Sequence, residues 1–386
     1  MDWPETPVEY RSAFQPTFCP RPSCSEHRRT RPGYRCSKDG GYSTKRRKRV
    51  QRFICSTCGE GFSTQTFSAT YYCKRPELLR PVAAGLVAGS ALRQIARSEE
   101  CSPNTVARMA ARLGRHAMLL HALCLEQLQA KVSEPLVFDH LETFEFTQDY
   151  PFGIGTAVGS ESWFVYGLDP APHGRGGRRS EVQEKRLRSR PKRALRGRYA
   201  GSTRRVLDSL LKLRPAGQSL GLIGDGHLDY ERAVRAHPLR AQIRLLRFPN
   251  SPRGPKGSPR SPEAQVRDEE LFPVDLLHKI LRHTLAELHR ETIAFARRLN
   301  ASMERMFLTA VWRNLVKKRT ERATDETTPA TLLGLTDRRW NWCRVLSRRL
   351  FYNRTRLPEP WPELYRRDWT TPLLPSNARH RLLRAF

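Results

Sequence analysis

The sequence predicts an α/β protein of several domains, in which a cysteine-rich segment and a helical segment precede a sheet flanked by helices. Three observations predict this architecture. The chain has 386 residues, more than one compact domain usually contains. Six of its nine cysteines lie before residue 75. Apolar residues recur at three- and four-residue steps over 76–130, as in helices, and alternate with polar residues from residue 135, as in strands.

The charge of the chain predicts a polyanionic partner. Lys and Arg number 69 against 38 Asp and Glu, a formal net charge of +31. Such an excess favours nucleic acid, because each phosphate contact releases a condensed counterion. The alternative is a basic surface that only keeps the protein soluble.

The location of the protein is expected to be intracellular. No apolar run approaches the roughly 18–20 residues of a membrane span, so no membrane partner is expected. The polar, acidic start MDWPETPVEY is unlike a signal peptide. An odd number of unevenly placed cysteines also argues against the disulfide framework of a secreted protein.

The composition divides the chain into four predicted parts. These are 15–75, 76–130, 131–325 and a C-terminal tail, 326–386, which is expected to pack irregularly from residue 355. Within the third part, the Arg- and Gly-rich stretch 173–205 is expected to be a flexible basic insertion or a long hairpin. The Pro/Gly/Ser-rich stretch 249–265 predicts a flexible loop. From 270 to about 320 the pattern is helical again, with 276–299 as one amphipathic run.

The cysteine spacing predicts a structural zinc site. Cys19 and Cys24 form one pair, Cys55 and Cys58 a second, and two such pairs complete a closed tetrahedral site. The predicted fold of 15–75 is therefore a zinc ribbon. Three other residues stay open as alternative or additional ligands, namely Cys36, Cys73 and, more weakly, His27. The alternative is that the cysteines merely fill a core.

A basic run between the two cysteine pairs predicts contact with DNA phosphates. Its members precede the aromatic Phe53 on a predicted strand and are Arg46, Arg47, Lys48 and Arg49. We expect the outer face of this strand to bind the DNA backbone.

The segment SALRQIARSEECSPNTVARMAARLG has the spacing of a helix-turn-helix, with the turn near Glu100 and Cys101. Such motifs place the start of the second helix in the major groove. The predicted DNA-binding residues at that start are Ser102, Asn104, Thr105 and Arg108. An ordinary helical hairpin has the same periodicity and stays open as the alternative.

Two aspartates follow apolar strand-like segments. Asp139 comes after Leu136-Val137-Phe138, and Asp225 comes after Leu222-Ile223-Gly224. A sheet can bring two such residues side by side, and with a third acid they can hold Mg²⁺ for attack on a phosphodiester. A single strand-end aspartate is more often a solvated cap, so the pair carries the inference.

The chain resembles bacterial insertion-sequence transposases of the DDE type, in which a zinc ribbon and a helix-turn-helix precede an RNase H-like catalytic domain with a mixed sheet flanked by helices. The resemblance covers roughly residues 15–315. It rests on CPRPSC, QRFICSTCGEGFS, SALRQIARSEECSPNTVARMAARL, FDHLETF, LIGDGHLDY and VDLLHKILRHTLAELHRETIAFARR.

The resemblance implies three catalytic, magnesium-binding acids. Asp139 matches the first, Asp225 the second and Asp275 the third. The family usually has Glu at the third position and often Asn three residues later, where this chain has Asp275 and His278. Glu304 is the alternative third acid, and Glu269 and Glu270 are weaker ones.

The resemblance also implies a function. The chain would bind double-stranded DNA at element ends and at the target, and would catalyse Mg²⁺-dependent cleavage and strand transfer as a homo-oligomer in the bacterial cytoplasm, associated with the nucleoid. Two alternatives stay open: a non-catalytic DNA-binding regulator or degenerate transposase remnant, and an RNase H-like nuclease. No G-x-S-x-G or GxxxxGK[ST] motif indicates a hydrolase or a nucleotide-binding loop.

Overall fold

The computed structural model describes residues 7, 14–29, 33–44, 47–251, 255, 258–289 and 292–369, with the backbone alone described at 47 and 48. This part of the chain is an α/β structure with one antiparallel and one mixed sheet. No helix in it is long and apolar enough to cross a membrane.

The N-terminal sheet has three antiparallel strands in the order β1-β2-β3. They are β1 (Cys36–Thr44), β2 (Arg47–Cys55) and β3 (Gly61–Ser63). Phe53 of β2 stacks on Phe62 of β3, with ring centroids 5.7 Å apart. Both rings lie in a small apolar cluster with Cys19, Cys24 and Cys55, so the cysteines sit inside the core of this sheet.

Three helices follow, α1 (Leu79–Val87), α2 (Leu92–Ser98) and α3 (Pro103–Gln127). The α3 helix begins as the sequence predicts, because the Ser102 hydroxyl accepts a hydrogen bond from the Asn104 amide at 3.2 Å and Pro103 occupies the first turn. It continues for 25 residues, and its middle is buried.

The second sheet has five strands in the order β6-β5-β4-β7-β8. They are β4 (Leu136–Phe144), β5 (Pro151–Gly159), β6 (Val165–Pro172), β7 (Leu220–Gly224) and β8 (Ile243–Arg247). The first three in sequence pair antiparallel, whereas β7 is parallel to β4 and β8 is parallel to β7. The strand-like patterns predicted from residue 135 and before Asp225 correspond to β4 and β7. The sequence pattern does not predict β8, because its sequence IRLLR is short and contains two arginines.

The remaining helices are α4 (Glu181–Ser189), α5 (Arg198–Leu210), α6 (Leu228–Arg235), α7 (Pro262–Glu270), α8 (Phe272–Thr284), α9 (Leu299–Val311), α10 (Pro329–Leu332), α11 (Trp342–Val345) and α12 (Trp361–Arg366). Helices α5 and α8 cover opposite faces of the five-stranded sheet. Gly155 of β5 faces Ser202 of α5, and the next residue, Thr156, contacts His278 of α8.

One hydrophobic cluster runs through most of the chain from Leu78 to Trp369. It therefore crosses the boundaries expected at 130 and 325. Helices α3 and α9 approach so closely that a Cβ at Gly114 would lie 2.4 Å from the Glu304 carbonyl oxygen. Trp361 of α12 is buried and donates to the Leu168 carbonyl of β6 at 3.1 Å, so this part of the C-terminal segment belongs to the core.

Three segments differ from the sequence-based expectation. Stretch 173–205 is not a hairpin, because it contains α4 and the start of α5. Within 249–265, the described residues from 262 onward belong to α7. The run over 276–299 is not one helix, because α8 ends at Thr284 and α9 begins only at Leu299. The Thr284 hydroxyl donates a hydrogen bond to the Ile280 carbonyl at the end of α8.

Candidate functional site

Four cysteines converge beside the N-terminal sheet. The sulfur atoms of Cys19, Cys24, Cys55 and Cys58 all lie within 4.8 Å of one another. Cys19 Sγ is 3.7 Å from Cys58 Sγ, and Cys24 Sγ is 4.0 Å from Cys55 Sγ. Four thiolates on a tetrahedral ion at a bond length of about 2.3 Å would be about 3.8 Å apart. The cluster can therefore hold a metal ion and is compatible with structural zinc.

The backbone around each cysteine pair forms a tight turn. The Cys24 amide donates to the Arg21 carbonyl at 3.1 Å, and the Gly59 amide donates to the Cys55 carbonyl at 2.9 Å. Gly59 has φ +70°, which a glycine adopts without the strain of a side chain. Burial raises the pKa of the Cys19 thiol, and a bound cation would offset this by stabilising the thiolate.

The alternative ligands lie outside the cluster. Cys36, Cys73 and His27 are described, and none belongs to the group of converging sulfur atoms. His27 is buried and its Nδ1 lies 2.8 Å from the Cys19 carbonyl oxygen, so it supports the first turn through the backbone. Cys36 pairs with Cys55 across β1 and β2, but its sulfur is not one of the four.

The five-stranded sheet brings Asp139 and Asp225 side by side. In the parallel pair of β4 and β7, Val137 lies opposite Ile223. Asp139 and Asp225 are the residues two positions further along each strand. A Cβ at the intervening Gly224 would lie 3.5 Å from the Phe138 carbonyl oxygen, so the two chains remain adjacent there. The two aspartates predicted from the sequence are thus neighbours, although only Asp225 follows the end of a strand, since β4 continues past Asp139 to Phe144.

The electrostatics of this pair are unfavourable for two ionised carboxylates. Burial, followed by the negative charge of Asp225, raises the pKa of Asp139 to about 7, and Asp275 adds to the effect. Opposing contributions come from the His140 amide and the Tyr230 hydroxyl, which donate to Asp139 Oδ1 at 2.8 and 3.0 Å. Asp225 accepts from the His227 amide at 3.0 Å. A divalent cation is the kind of partner that would relieve this repulsion.

Asp275 lies in the first turn of α8, where Arg267 of α7 binds it. Arg267 Nη1 is 2.5 Å from Asp275 Oδ2. Within the described ranges, the three aspartates do not form a group with all ligand oxygens within 4.8 Å of one another. Asp275 therefore acts on Asp139 through its charge, while its own carboxylate is paired with an arginine.

Glu304, the alternative third acid, lies elsewhere. Its carboxylate is buried between α3 and the C-terminal segment, where Arg115 binds it at 3.1 Å and Arg367 binds both oxygens at 2.8 and 2.9 Å. Glu304 is not among the principal charges that shift the pKa of Asp139. Of the weaker candidates, Glu269 is exposed and Glu270 is half-buried at the end of α7.

Three residues beside Asp139 were not expected from the sequence. Thr156 Oγ1 donates to the Asp139 carbonyl at 2.9 Å and lies 2.8 Å from His278 Nε2. His278 Nδ1 is 3.7 Å from Asp139 Oδ2. Tyr230 of α6 holds the other Asp139 oxygen. The position three residues after Asp275 is the one signal that pointed to His278.

The predicted DNA-binding residues belong to two places, the start of α3 and the start of β2. Ser102, Asn104 and Arg108 are exposed at the start of α3, and Thr105 is half-buried there. On β2, Arg49 is exposed, whereas only the backbone of Arg47 and Lys48 is described and Arg46 lies outside the described residues.

Several arginines of 173–205 pair with buried carboxylates. Asp149 receives Arg175 at 2.6 Å, Arg186 at 2.9 Å and Arg190 at 3.5 Å, and its side chain is fully buried. Arg205 binds Asp169 at 2.6 Å. Arg186 thereby links α4 to the turn that contains Asp149, and Arg205 links α5 to β6.

Comparisons of this chain with protein-family models, with curated proteins and with solved structures yield no match.

Proposed function

We propose that this chain is a DNA transposase of the DDE type, which binds element ends and catalyses Mg²⁺-dependent cleavage and strand transfer. The observation that carries the proposal is the adjacency of Asp139 and Asp225 on parallel strands, with an Asp139 pKa raised by burial and then by its neighbour's charge. Perturbed carboxylates that share a site are characteristic of metal-dependent catalytic centres.

The strand order supports an RNase H-like domain within this proposal. Along the chain, three antiparallel strands are followed by two parallel ones. In the sheet order β6-β5-β4-β7-β8, the first and fourth of these strands along the chain, β4 and β7, lie side by side. These strands carry the first two acids, and α8 carries the third. In such a domain a phosphodiester would bind beside β4, β7 and α8, where it would meet all three carboxylates.

The acids fit a divalent cation by their chemistry. Asp139 and Asp225 would hold Mg²⁺, and Asp275 would join them if Arg267 released it. The bound ion would activate water or a DNA 3′-hydroxyl and stabilise the leaving oxygen. The chain itself supplies the orientation: Tyr230 and the His140 amide hold Asp139 Oδ1, which leaves Asp139 Oδ2 facing α8.

The N-terminal parts support DNA recognition. We propose that the four-cysteine cluster binds zinc in a ribbon whose β2 strand contacts phosphates, and that α2 and α3 are a helix-turn-helix. The exposed Asn104 and Arg108 at the start of α3 suit contact with base edges. The net charge of +31 suits a DNA partner, and pairing two ends would require a homo-oligomer.

Cleavage and joining assays test this proposal. The full chain is incubated with Mg²⁺, a target plasmid and a duplex that carries the inverted repeats flanking its gene, with a scrambled duplex as control. We expect cleavage at the repeat and joining to the plasmid. Asp139→Asn and Asp225→Asn should abolish both, whereas Asp208→Asn, on the far end of α5, should abolish neither.

The alternatives give different results in the same assay. Specific binding without cleavage would favour a DNA-binding regulator or a degenerate remnant. Cleavage without joining would favour a nuclease. Cleavage that survives Asp139→Asn would contradict the catalytic assignment.

A further inference from the structure

A groove lies between the N-terminal sheet and the loop that leads from this sheet towards α1. It is lined by residues of all three strands and of the loop, among them Tyr42, Arg52, Gly61, Tyr71 and Tyr72. Its volume is about 660 Å³. This lies in the range of about 300–1,000 Å³ that is typical of ligand sites. Among the described residues that line it, none is Asp or Glu.

Two tyrosines of the groove are open to solvent. Tyr42 of β1 is 41% exposed and Tyr72 of the loop is 59% exposed. The ring of Tyr71 meets that of Tyr72 at a right angle, with centroids 4.5 Å apart, and such a contact covers at most one face of the Tyr72 ring. An open aromatic face is a surface on which another flat ring can stack.

Helix α3 fixes the backbone that carries Tyr72. The φ of Tyr72 is +55°, in the left-handed region that residues with a side chain adopt only when their surroundings hold them there. Arg112 of α3 supplies that support, because its guanidinium donates to the Ala69 carbonyl at 2.9 Å and to the Tyr71 carbonyl at 2.7 Å. Arg349 also lies over the Tyr71 ring, 4.6 Å from its centroid. A surface that is ordered before binding loses little entropy when a ligand stacks on it.

The rest of the groove offers open space and positive charge. A Cβ placed at Gly61 of β3 would meet no described atom within 4 Å outside its own chain neighbours. The Arg52 side chain is 52% exposed, and its guanidinium binds Asp39 at 2.8 Å. A guanidinium has five donors, so Arg52 can bind this carboxylate and a phosphate together. Lys74, two residues after Tyr72, is also exposed.

We propose that this groove binds unpaired nucleotides of a DNA strand, with a base stacked on Tyr72 and a phosphate bound by Arg52 and Lys74. In a duplex the faces of the bases are covered by their neighbours, so only an unpaired base can stack on an aromatic side chain. The inference rests on the proposed function, which makes DNA the partner. It adds a site for single strands to the duplex contacts proposed for β2 and α3.

Fluorescence anisotropy with labelled oligonucleotides tests the inference. The zinc-loaded full chain is titrated into a short oligothymidine, into its duplex with oligoadenine and into the matching oligouridine, at a salt concentration that suppresses binding through phosphates alone. Tyr72→Leu should weaken binding of oligothymidine by roughly tenfold, because one stacked base is lost. Binding of the duplex should change by less than about twofold, because its contacts are made through phosphates and groove edges.

Two variants serve as controls. Tyr72→Phe keeps the ring and removes the hydroxyl, so it should bind oligothymidine as the wild type does. Phe272→Leu removes an aromatic ring that is 42% exposed at the start of α8, where it contacts Trp163, and it should leave the affinity unchanged. Unchanged zinc content and circular dichroism would show that the variants fold.

Photo-cross-linking locates the contact directly. An oligothymidine with one 5-iododeoxyuridine is irradiated in complex with the wild-type chain, and the linked peptide is identified by mass spectrometry. We expect a cross-link at Tyr72 or Tyr42. Cross-links confined to peptides outside the groove would overturn the inference.

The binding results separate the inference from the proposed function. Equal affinities of Tyr72→Leu and the wild type for oligothymidine, or equal losses for the single strand and the duplex, would overturn the groove as a site for unpaired bases. Tighter binding of oligouridine would overturn its assignment to DNA. Cleavage and joining at the repeats would stand in either case. Binding of oligothymidine that depends on Tyr72, without any cleavage, would support the groove and contradict the transposase.

Discussion

Arg267 Nη1 lies 2.5 Å from Asp275 Oδ2, so an arginine of α7 binds the third acid of the proposed catalytic site. The two side chains are 14% and 30% exposed, and Arg267 also contacts Asp268. If Asp275 serves as a metal ligand, the cation has to compete with this guanidinium.

Removal of the arginine tests that competition. Arg267→Gln should lower the Mg²⁺ concentration needed for half-maximal cleavage by roughly fivefold, because a partly exposed ion pair contributes about 1 kcal/mol. Arg260→Gln is the matched control, since Arg260 pairs with the half-exposed Asp268 instead. An unchanged or higher Mg²⁺ requirement in Arg267→Gln would show that Asp275 is not a ligand.

The cysteine cluster predicts one zinc ion per chain. Cys55→Ser should lose the metal, because a structural site with three thiolates is open and weak, whereas Cys36→Ser should retain it. Elemental analysis of the purified full chains measures the difference. Equal zinc content in the two variants would mean that the four converging sulfur atoms are not the site.

Glu304 is predicted to stabilise the fold and not to bind metal. Glu304→Gln leaves Arg115 and Arg367 without their carboxylate in a buried setting, which should lower the free energy of unfolding by about 3–5 kcal/mol. Glu269→Gln, at an exposed position, should change it by less than about 0.5 kcal/mol. Chemical denaturation measures both. Unchanged stability with loss of Mg²⁺-dependent cleavage would restore Glu304 as the third acid.

Buried histidines predict a loss of stability in mild acid. His121 is stacked between Phe164 and Trp361, and burial lowers its pKa from 6.5 to about 4. As pH falls below 6.5 the unfolded chain binds a proton that the folded chain excludes until about pH 4, so stability decreases across this window. The contribution of one such group is on the order of 3 kcal/mol.

Substitution of this histidine should flatten the pH dependence. His121→Phe keeps an aromatic ring of similar size and cannot bind the proton. Between pH 7 and 4.5 the free energy of unfolding of this variant should fall less steeply than that of the wild type. The difference in slope should correspond to the uptake of about one proton fewer on unfolding. Equal slopes in His121→Phe and the wild type would contradict the assignment.

Local patterns predicted the parts of this molecule that depend on neighbours in sequence. The cysteine pairs, the start of the second helix near Ser102 and the strand-like segments before Asp139 and Asp225 each follow from a few adjacent residues. The parallel pairing of β7 with β4, which makes the two acids neighbours, is set by the topology of the whole sheet and not by the local pattern of either segment.

Contacts between distant residues were beyond prediction. Thr156 and His278 are separated by 122 positions, and no periodicity relates them. The arginines of 173–205 form a pattern typical of a flexible insertion. Their pairing with Asp149 could not be predicted, because this acid lies in a preceding turn and is fully buried only in the folded chain.

The central claim is that Asp139 and Asp225 hold a divalent cation beside the two inner strands β4 and β7 of the five-stranded sheet. Anomalous diffraction from crystals soaked in Mn²⁺ tests it most directly, because zinc at the four cysteines provides an internal positive control in the same crystal. The account predicts a second anomalous peak within about 2.5 Å of carboxylate oxygens of both Asp139 and Asp225. A peak at the cysteines with none at the two aspartates would contradict it.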